Sequence, residues 1–324
     1  MRKKTVAWFF ATLLMVFSLS SGSEAKADDP GASILDRGLK YLIQIQNSDG
    51  SWPLVAREGG GDLEATLWAT RSLFMCRDMG DPEYVVGLEG LAYVVARQKM
   101  NGSFSDNAAH TAFALMMLQE SGQGKEALGR AVSWLKKVQN GDGGWRSGLS
   151  GPSLSIYTAV VLVAFNMVGI PATDGAVQKG ISWLKTAQNP DGGWGMPKGG
   201  PSLCLGSSWA LTALGAYGFT PDSKPVEKGL SWLLEMQTER NGGFVLFHHP
   251  ALTADPELTA YALITLSRFK GQDRAIQRAV AYLADVQKPD GVFVSNLPKE
   301  FKKKRKPNTQ STCFVIWALK ALGR

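Results

Sequence analysis

The stretch Arg37-Gly38-x-x-Tyr41-Leu42-x-x-x-Gln46-x-x-x-Gly50-x-Trp52 decides the fold, because its second half recurs along the chain. Further copies centre on Gln98/Gly102/Phe104, Gln139/Gly143/Trp145, Gln188/Gly192/Trp194, Gln237/Gly242/Phe244 and Gln287/Gly291/Phe293. The glutamines fall roughly fifty residues apart, a period that belongs to repeat architectures. Each copy reads as a helix ending in Gln, a glycine that permits a backbone reversal, and an aromatic that buries a large area at the same seam.

Each repeat splits into two predicted helices. The first leads into the Gln, over 34–46, 83–98, 127–139, 175–188, 226–237 and 275–287. These are amphipathic, with Trp134-Leu135, Trp183-Leu184 and Trp232-Leu233 on the apolar stripe and charged residues opposite. The second follows the turn and a polar loop, over 63–76, 108–119, 154–168, 206–217, 257–269 and 311–322. These are apolar nearly all round and so belong inside. Alternating amphipathic and apolar helices specify an outer ring around an inner ring. The fold expected is all-α, an (α/α)6 toroid of six helix-pair repeats in which each repeat buries its face against its neighbours.

Residues 1–27 have the form of a cleaved signal peptide. Arg2, Lys3 and Lys4 make the positive region, 6–19 is the apolar run, and Ala25-Lys26-Ala27 is an A-x-A site. The expected mature chain is a single toroid domain over 28–324, exported to a periplasmic or extracellular location. No later stretch has the length of a membrane span. The full chain carries 35 basic and 28 acidic residues, a formal charge of +7. Removing 1–27 leaves 31 and 27, or +4. That is too mild to imply nucleic acid, and part of it sits in Lys302-Lys303-Lys304-Arg305-Lys306, a solvated run. Cys76, Cys204 and Cys313 fit neither a zinc ribbon nor a redox pair, and they read as buried thiols.

The repeated pattern resembles the QW-type motif of the prenyltransferase and squalene-cyclase repeat family. The segments Thr111-Ala112-Phe113-Ala114-Leu115 and Thr259-Ala260-Tyr261-Ala262-Leu263 resemble its inner helices, and the likeness covers 34–322. Fold does not choose among the family's cyclases, prenyltransferase subunits, thioester domains and exported proteins.

Aligning the inner helices on Thr66, Thr111, Thr158, Ser208, Thr259 and Thr312 exposes an asymmetry. Four residues earlier stand Asp62, Asn107, Leu154, Cys204, Asp255 and Asn308, and two earlier stand Glu64, Ala109, Ile156, Gly206, Glu257 and Gln310. Two residues later come Trp68, Phe113, Val160, Ala210, Tyr261 and Phe314, on the same helix face as the glutamates. The expected cavity is acid-topped and aromatic-walled, able to hold an isoprenoid and stabilise cations through ring faces. The competing reading makes the acids helix caps and the aromatics core packing.

The resemblance assigns roles. Asp255-Pro256-Glu257-Leu258-Thr259-Ala260 is similar to the D-x-D-D-T-A segment of the squalene-cyclase group, and Asp62-Leu63-Glu64-Ala65-Thr66 is a weaker copy. It implies Glu257 as proton donor and Asp255 as its partner, with Glu64 and Asp62 as the second acidic pair. Leu258 replaces the third acid. Trp68, Phe113, Tyr261 and Phe314 would line the substrate cavity; His110, one residue before its Thr, reads by position either as a hydrogen-bonded core residue or as a base or ligand at that cavity. The zinc set of the protein prenyltransferases is incomplete here, with Ser311 where a His is required, and Cys204-Leu205-Gly206-Ser207 is no thioester. No metal or cofactor is expected.

As an enzyme the chain would be a terpene cyclase-like isomerase acting on a small-molecule or lipid substrate in the central cavity. A second class is a non-catalytic binding toroid with a protein partner. A third is a polysaccharide lyase-like enzyme, since Gln46-Asn47-Ser48-Asp49-Gly50-Ser51-Trp52-Pro53 resembles toroidal lyases too. In that case Asp62, Glu64 and Asp255 would hold calcium. His248-His249-Pro250, in the loop before Glu257, fits no known metal spacing.

Overall fold

The computed structural model describes residues 30–55, 60–249, 251–297 and 308–324. The leader at 1–27, the basic run at 302–306 and Pro250 lie outside them. Among the described residues the chain forms twelve helices: α1 (Pro30–Gln44), α2 (Leu63–Cys76), α3 (Pro82–Val95), α4 (Ala108–Ser121), α5 (Lys125–Lys137), α6 (Ser155–Met167), α7 (Gly175–Ala187), α8 (Cys204–Ala216), α9 (Lys224–Glu235), α10 (Pro256–Leu266), α11 (Asp273–Val286) and α12 (Thr309–Ala321). None is long and apolar enough to cross a membrane.

The even-numbered helices form a closed inner ring. Helix α2 packs on α4, α4 on α6, α6 on α8, α8 on α10, α10 on α12, and α12 back on α2. Each odd-numbered helix lies outside the inner helix before it, α3 on α2 through α11 on α10, so α1 seals the ring by packing on α12. The amphipathic and apolar patterns therefore mark the outer and inner rings. In α5 only Ala127, Ala131, Trp134 and Leu135 are buried, whereas in α6 everything from Thr158 to Phe165 is.

The recurring motif is a set of hydrogen bonds. Each Gln Nε2 donates to the carbonyl of its own turn glycine and to a carbonyl near the start of the next outer helix. Gln46 reaches Gly50 and Val86, Gln188 reaches Gly192 and Pro225, and Gln287 closes the circle on Ile34 at 3.0 Å. The aromatic that follows is wholly buried, and its backbone N–H donates to a hydroxyl on the inner helix. Trp52 pairs with Thr66, Phe104 with Thr111, Trp145 with Thr158, Trp194 with Ser207, Phe244 with Thr259 and Phe293 with Thr312, at 2.9–3.2 Å.

This hydroxyl clasp corrects one register. In the fourth repeat the clasp residue is Ser207, not Ser208, so the aligned positions there are Leu203, Leu205 and Trp209. An apolar inner helix offers no polar face by which adjacent serines can be told apart.

In the second repeat Thr111 accepts from Phe104 N–H at 3.0 Å and donates to the Asn107 carbonyl at 2.8 Å. Thr111→Val should cost about 1–3 kcal/mol, because it strands a buried N–H. Thr111→Ser keeps the hydroxyl and should lose less than half as much. Urea midpoints of the three proteins check this; equal losses would show that only packing matters at the clasp.

The thiols of Cys76, Cys204 and Cys313 are free; Cys204 and Cys313 are buried as expected, whereas Cys76, at the end of α2, is only half-buried. Burial pushes Cys76 up to about 11 and Cys204 up to about 12, which keeps them protonated and unreactive.

Candidate functional site

Counting from the clasp hydroxyl, residues two before, two after, five after and nine after share one helix face. That face looks into the lumen. Its second ring, Trp68, Phe113, Val160, Trp209, Tyr261 and Phe314, lines a cavity of about 110 Å3 at the amino-terminal mouth of the inner helices. Glu64, Ala109, Ile156 and Gln310 of the first ring lie above it.

The aromatic side chains form one cluster. Phe314 stands 4.6 Å from Tyr261, 5.5 Å from Trp68, 6.1 Å from Phe113, 6.3 Å from Trp209 and 4.6 Å from Trp317 between ring centroids. All six are almost completely buried. Edge-to-face and tilted contacts of this kind add about 0.5–1.5 kcal/mol per pair beyond burial. The cluster fills the middle of the lumen and leaves a shallow aromatic cup above it.

Four of the rim residues are caps. Asp62 accepts from Ala65 N at 2.8 Å, Asn107 from Ala109 N at 2.9 Å, Asp255 from Glu257 N at 2.8 Å, and Asn308 from Ser311 N at 2.9 Å. They supply orphan N–H groups of their helices with acceptors. The other carboxylate oxygen of Asp255 accepts from Ser295 Oγ at 2.7 Å and Asn296 N at 2.5 Å, tying α10 to the loop after α11. Neither Asp62 nor Asp255 lines the cavity.

The two glutamates diverge. Glu257 is buried beneath its neighbours: Oε1 accepts from Tyr261 Oη at 3.0 Å and Gln310 Nε2 at 2.9 Å, and Oε2 from Ser311 Oγ at 2.9 Å. It stands behind two cavity residues, Tyr261 and Gln310, and is not itself part of the lining. Burial first, and the neighbouring Glu257 charge second, push the Tyr261 phenol well above its usual range, so it remains a hydrogen-bond donor. Glu64, by contrast, lines the cavity and is half-buried, with His110 Nε2 3.6 Å from its Oε1. His110 Nδ1 is buried without a hydrogen-bond partner, and so is Trp68 Nε1.

Trp68, Phe113, Tyr261, Phe314 and Glu64 are thus gathered around one cup, with His110 just outside it. Sequence reasoning missed Trp209, which the Ser207 register brings into view, along with Tyr157 and Met196 of the wall. His248 and His249 line a separate groove of about 630 Å3 beside the end of α9, with Glu235, Glu239 and Arg278. Among the described residues, no group of three His, Cys, Asp or Glu side chains could hold a metal ion.

Comparison with known proteins gives this geometry a family. The family model described as the prenyltransferase alpha-alpha toroid domain matches residues 4–117 and 202–323, and that of the squalene-hopene cyclase C-terminal domain matches 151–245. Drimenyl diphosphate synthase of Streptomyces showdoensis is 33% identical over 136 residues, which cover 38% of this chain and 25% of that protein. The enzyme of the same name from Streptantibioticus cattleyicolor is 48% identical over 48 residues, or 15% of this chain and 9% of its own. The chain therefore spans a quarter or less of the curated relatives it matches.

Among solved structures, a protein from Actinoplanes superposes with a TM-score of 0.69 at 18% identity, covering 91% of this chain and 100% of that one. The type II terpene cyclase MstE from Scytonema, in complex with geranylgeranyl dihydroxybenzoate, also gives 0.69, at 16% identity and 91% and 98% coverage. A glycosidase in complex with glucose gives 0.64 at 12% identity, covering 91% and 97%. At these identities the structural likeness carries the fold alone. On the match to its family model, which takes in most of its length, the chain belongs to the prenyltransferase alpha-alpha toroid family.

Proposed function

We propose that this is an exported, terpene cyclase-like protein that takes one end of a linear isoprenoid into the aromatic cup and protonates its alkene from Glu64. The observation that carries this reading is the position of a half-buried glutamate directly over a ring of five aromatic side chains. In the step, the Glu64 O–H bond breaks and a C–H bond forms at the less substituted alkene carbon. A tertiary cation is left facing the rings, whose π faces stabilise positive charge. Loss of a proton from a neighbouring carbon restores an alkene, so the product is an isomer of the substrate. The Glu64 carboxylate left by the first step accepts that proton, which restores the acid and closes the cycle, with His110 Nε2 3.6 Å from it.

At the ~30 Å3 that a water molecule occupies in the liquid, the cup holds about four non-hydrogen atoms. That is close to one isoprene unit, so the rest of the chain extends out of the mouth. The same small volume supports a second reading, in which the cup grips a prenyl end without reacting. Both readings require saturable prenyl binding. Equilibrium dialysis with radiolabelled farnesol tests this: Trp209→Leu should weaken binding by about fivefold to tenfold through lost ring contact, while Met75→Leu, in the last turn of α2 and outside the cup lining, should leave it unchanged. A wild-type protein with no saturable farnesol binding would sink both readings.

A further inference from the structure

The third and fourth rings of the lumen-facing stripe enclose a second cavity, of about 240 Å3, at the carboxyl-terminal mouth of the inner helices. The aromatic cluster separates it from the cup, and Trp209 is common to both walls. Its walls are largely apolar, including Met116, Met167 and Trp317, yet they carry Arg71 and Arg268. Glu120 stands opposite as the only carboxylate in the lining.

Arg71 is poorly satisfied for a buried guanidinium. Only 8% of it is exposed, and its Nε has no hydrogen-bond partner. Its Nη2 makes one long contact to Glu120 at 3.4 Å and one to Met167 Sδ at 3.8 Å, while the guanidinium carbon lies 4.2 Å over the Trp317 ring. A guanidinium carries five donors in a fixed fork, and burying charge without full hydrogen bonding is costly. Arg268 sits just past the end of α10, where a cation complements helix carbonyls. That explanation does not reach Arg71, which is more than one turn inside the end of α2 at Cys76. Two guanidiniums against one carboxylate leave an excess positive charge in an apolar cavity.

We infer that this second mouth is a binding site for a small amphiphilic anion, whose acidic head lies between Arg71 and Arg268 and whose apolar body rests against the methionines and Trp317. The planar forks suit a bidentate oxyanion. At ~30 Å3 per atom the cavity holds about eight non-hydrogen atoms, the size of a short-chain carboxylate. The site goes beyond the proposed isoprenoid chemistry, because it shares none of the polar groups of the cup.

Calorimetric titration of the full chain with hexanoate tests it, with 1-hexanol and inorganic phosphate as comparison probes. Hexanoate should bind saturably at one site, and 1-hexanol and phosphate should each bind at least about tenfold more weakly, since one lacks the charge and the other the apolar body. Arg71→Lys, which keeps the charge but removes the fork, and Arg268→Gln should each weaken hexanoate by about tenfold or more, the loss of one charge-assisted hydrogen bond. Arg268 is exposed at the rim, so its variant remains informative if Arg71→Lys does not fold. Absence of saturable hexanoate binding, equal binding of 1-hexanol, or full hexanoate affinity in Arg268→Gln would each overturn the assignment.

Discussion

Gly291→Ala is expected to cost about 3 kcal/mol or more, since left-handed backbone costs a side chain ~1–2 and an overpacked site ~1–3. For a domain of this size that lowers the melting temperature by roughly 5 °C. Gly291 has φ +90, and a Cβ there would stand 2.1 Å from the Arg37 carbonyl oxygen of α1. It is the point at which the last repeat meets the first, beside the Gln287 bond to Ile34. The other turn glycines repeat the arrangement against the next outer helix, with Glu89, Arg130, Lys179, Lys228 and Arg278 carbonyls at 2.4–2.7 Å. Gly271→Ala is the internal control: its φ is +82, but nothing lies within 4 Å, so only the backbone penalty applies. Thermal melts of the two variants separate close packing from backbone conformation. Equal losses would mean that ring closure does not depend on the approach of the turn to the next helix.

The second large effect concerns the two glutamates. Glu64→Gln should lower isoprenoid turnover by about 10²–10⁴-fold, the range for a lost general acid, while leaving farnesol affinity within about twofold. Glu257→Gln should act mainly on stability. Its carboxylate accepts from Tyr261, Gln310 and Ser311, and an amide turns an N–H towards one of those donors. The mismatch costs about 1–3 kcal/mol in a buried site. The opposite outcome, turnover abolished in a stably folded Glu257→Gln and retained in Glu64→Gln, would return the proton to Glu257. That is the acid which the D-x-E-L-T-A likeness selects, so the pair of variants separates sequence resemblance from cavity geometry.

What could be read in the sequence followed from periodicity. The glutamine, glycine and aromatic positions mark the seams because each makes the same bonds in every repeat, and the order of amphipathic and apolar helices marks the two rings. Helix ends were legible where a capping side chain stands, as at Asp62 and Asn107. They were less so at α6 and α8, whose first N–H groups go to the Met196 and Leu246 carbonyls of neighbouring loops.

The lumen face was harder. An inner helix that is apolar on all sides has no hydrophobic direction, so its rings become visible only from the clasp residue. A one-residue choice between Ser207 and Ser208 hid Trp209. Arg71 was a signal that could have been used, since a charge within an apolar helix requires a reason. Whether an acid faces the cavity or stands behind Tyr261 and Gln310 is a matter of side-chain packing between helices, which spacing alone does not encode.

The most direct test of proton-initiated isomerisation is mass spectrometry of farnesol incubated with the purified protein in D2O. Protonation by Glu64 followed by loss of a carbon-bound hydrogen predicts a product isomeric with farnesol in H2O and about one mass unit heavier in D2O, absent with Glu64→Gln. Farnesol recovered unchanged after saturable binding, or an isomer free of deuterium, would contradict it.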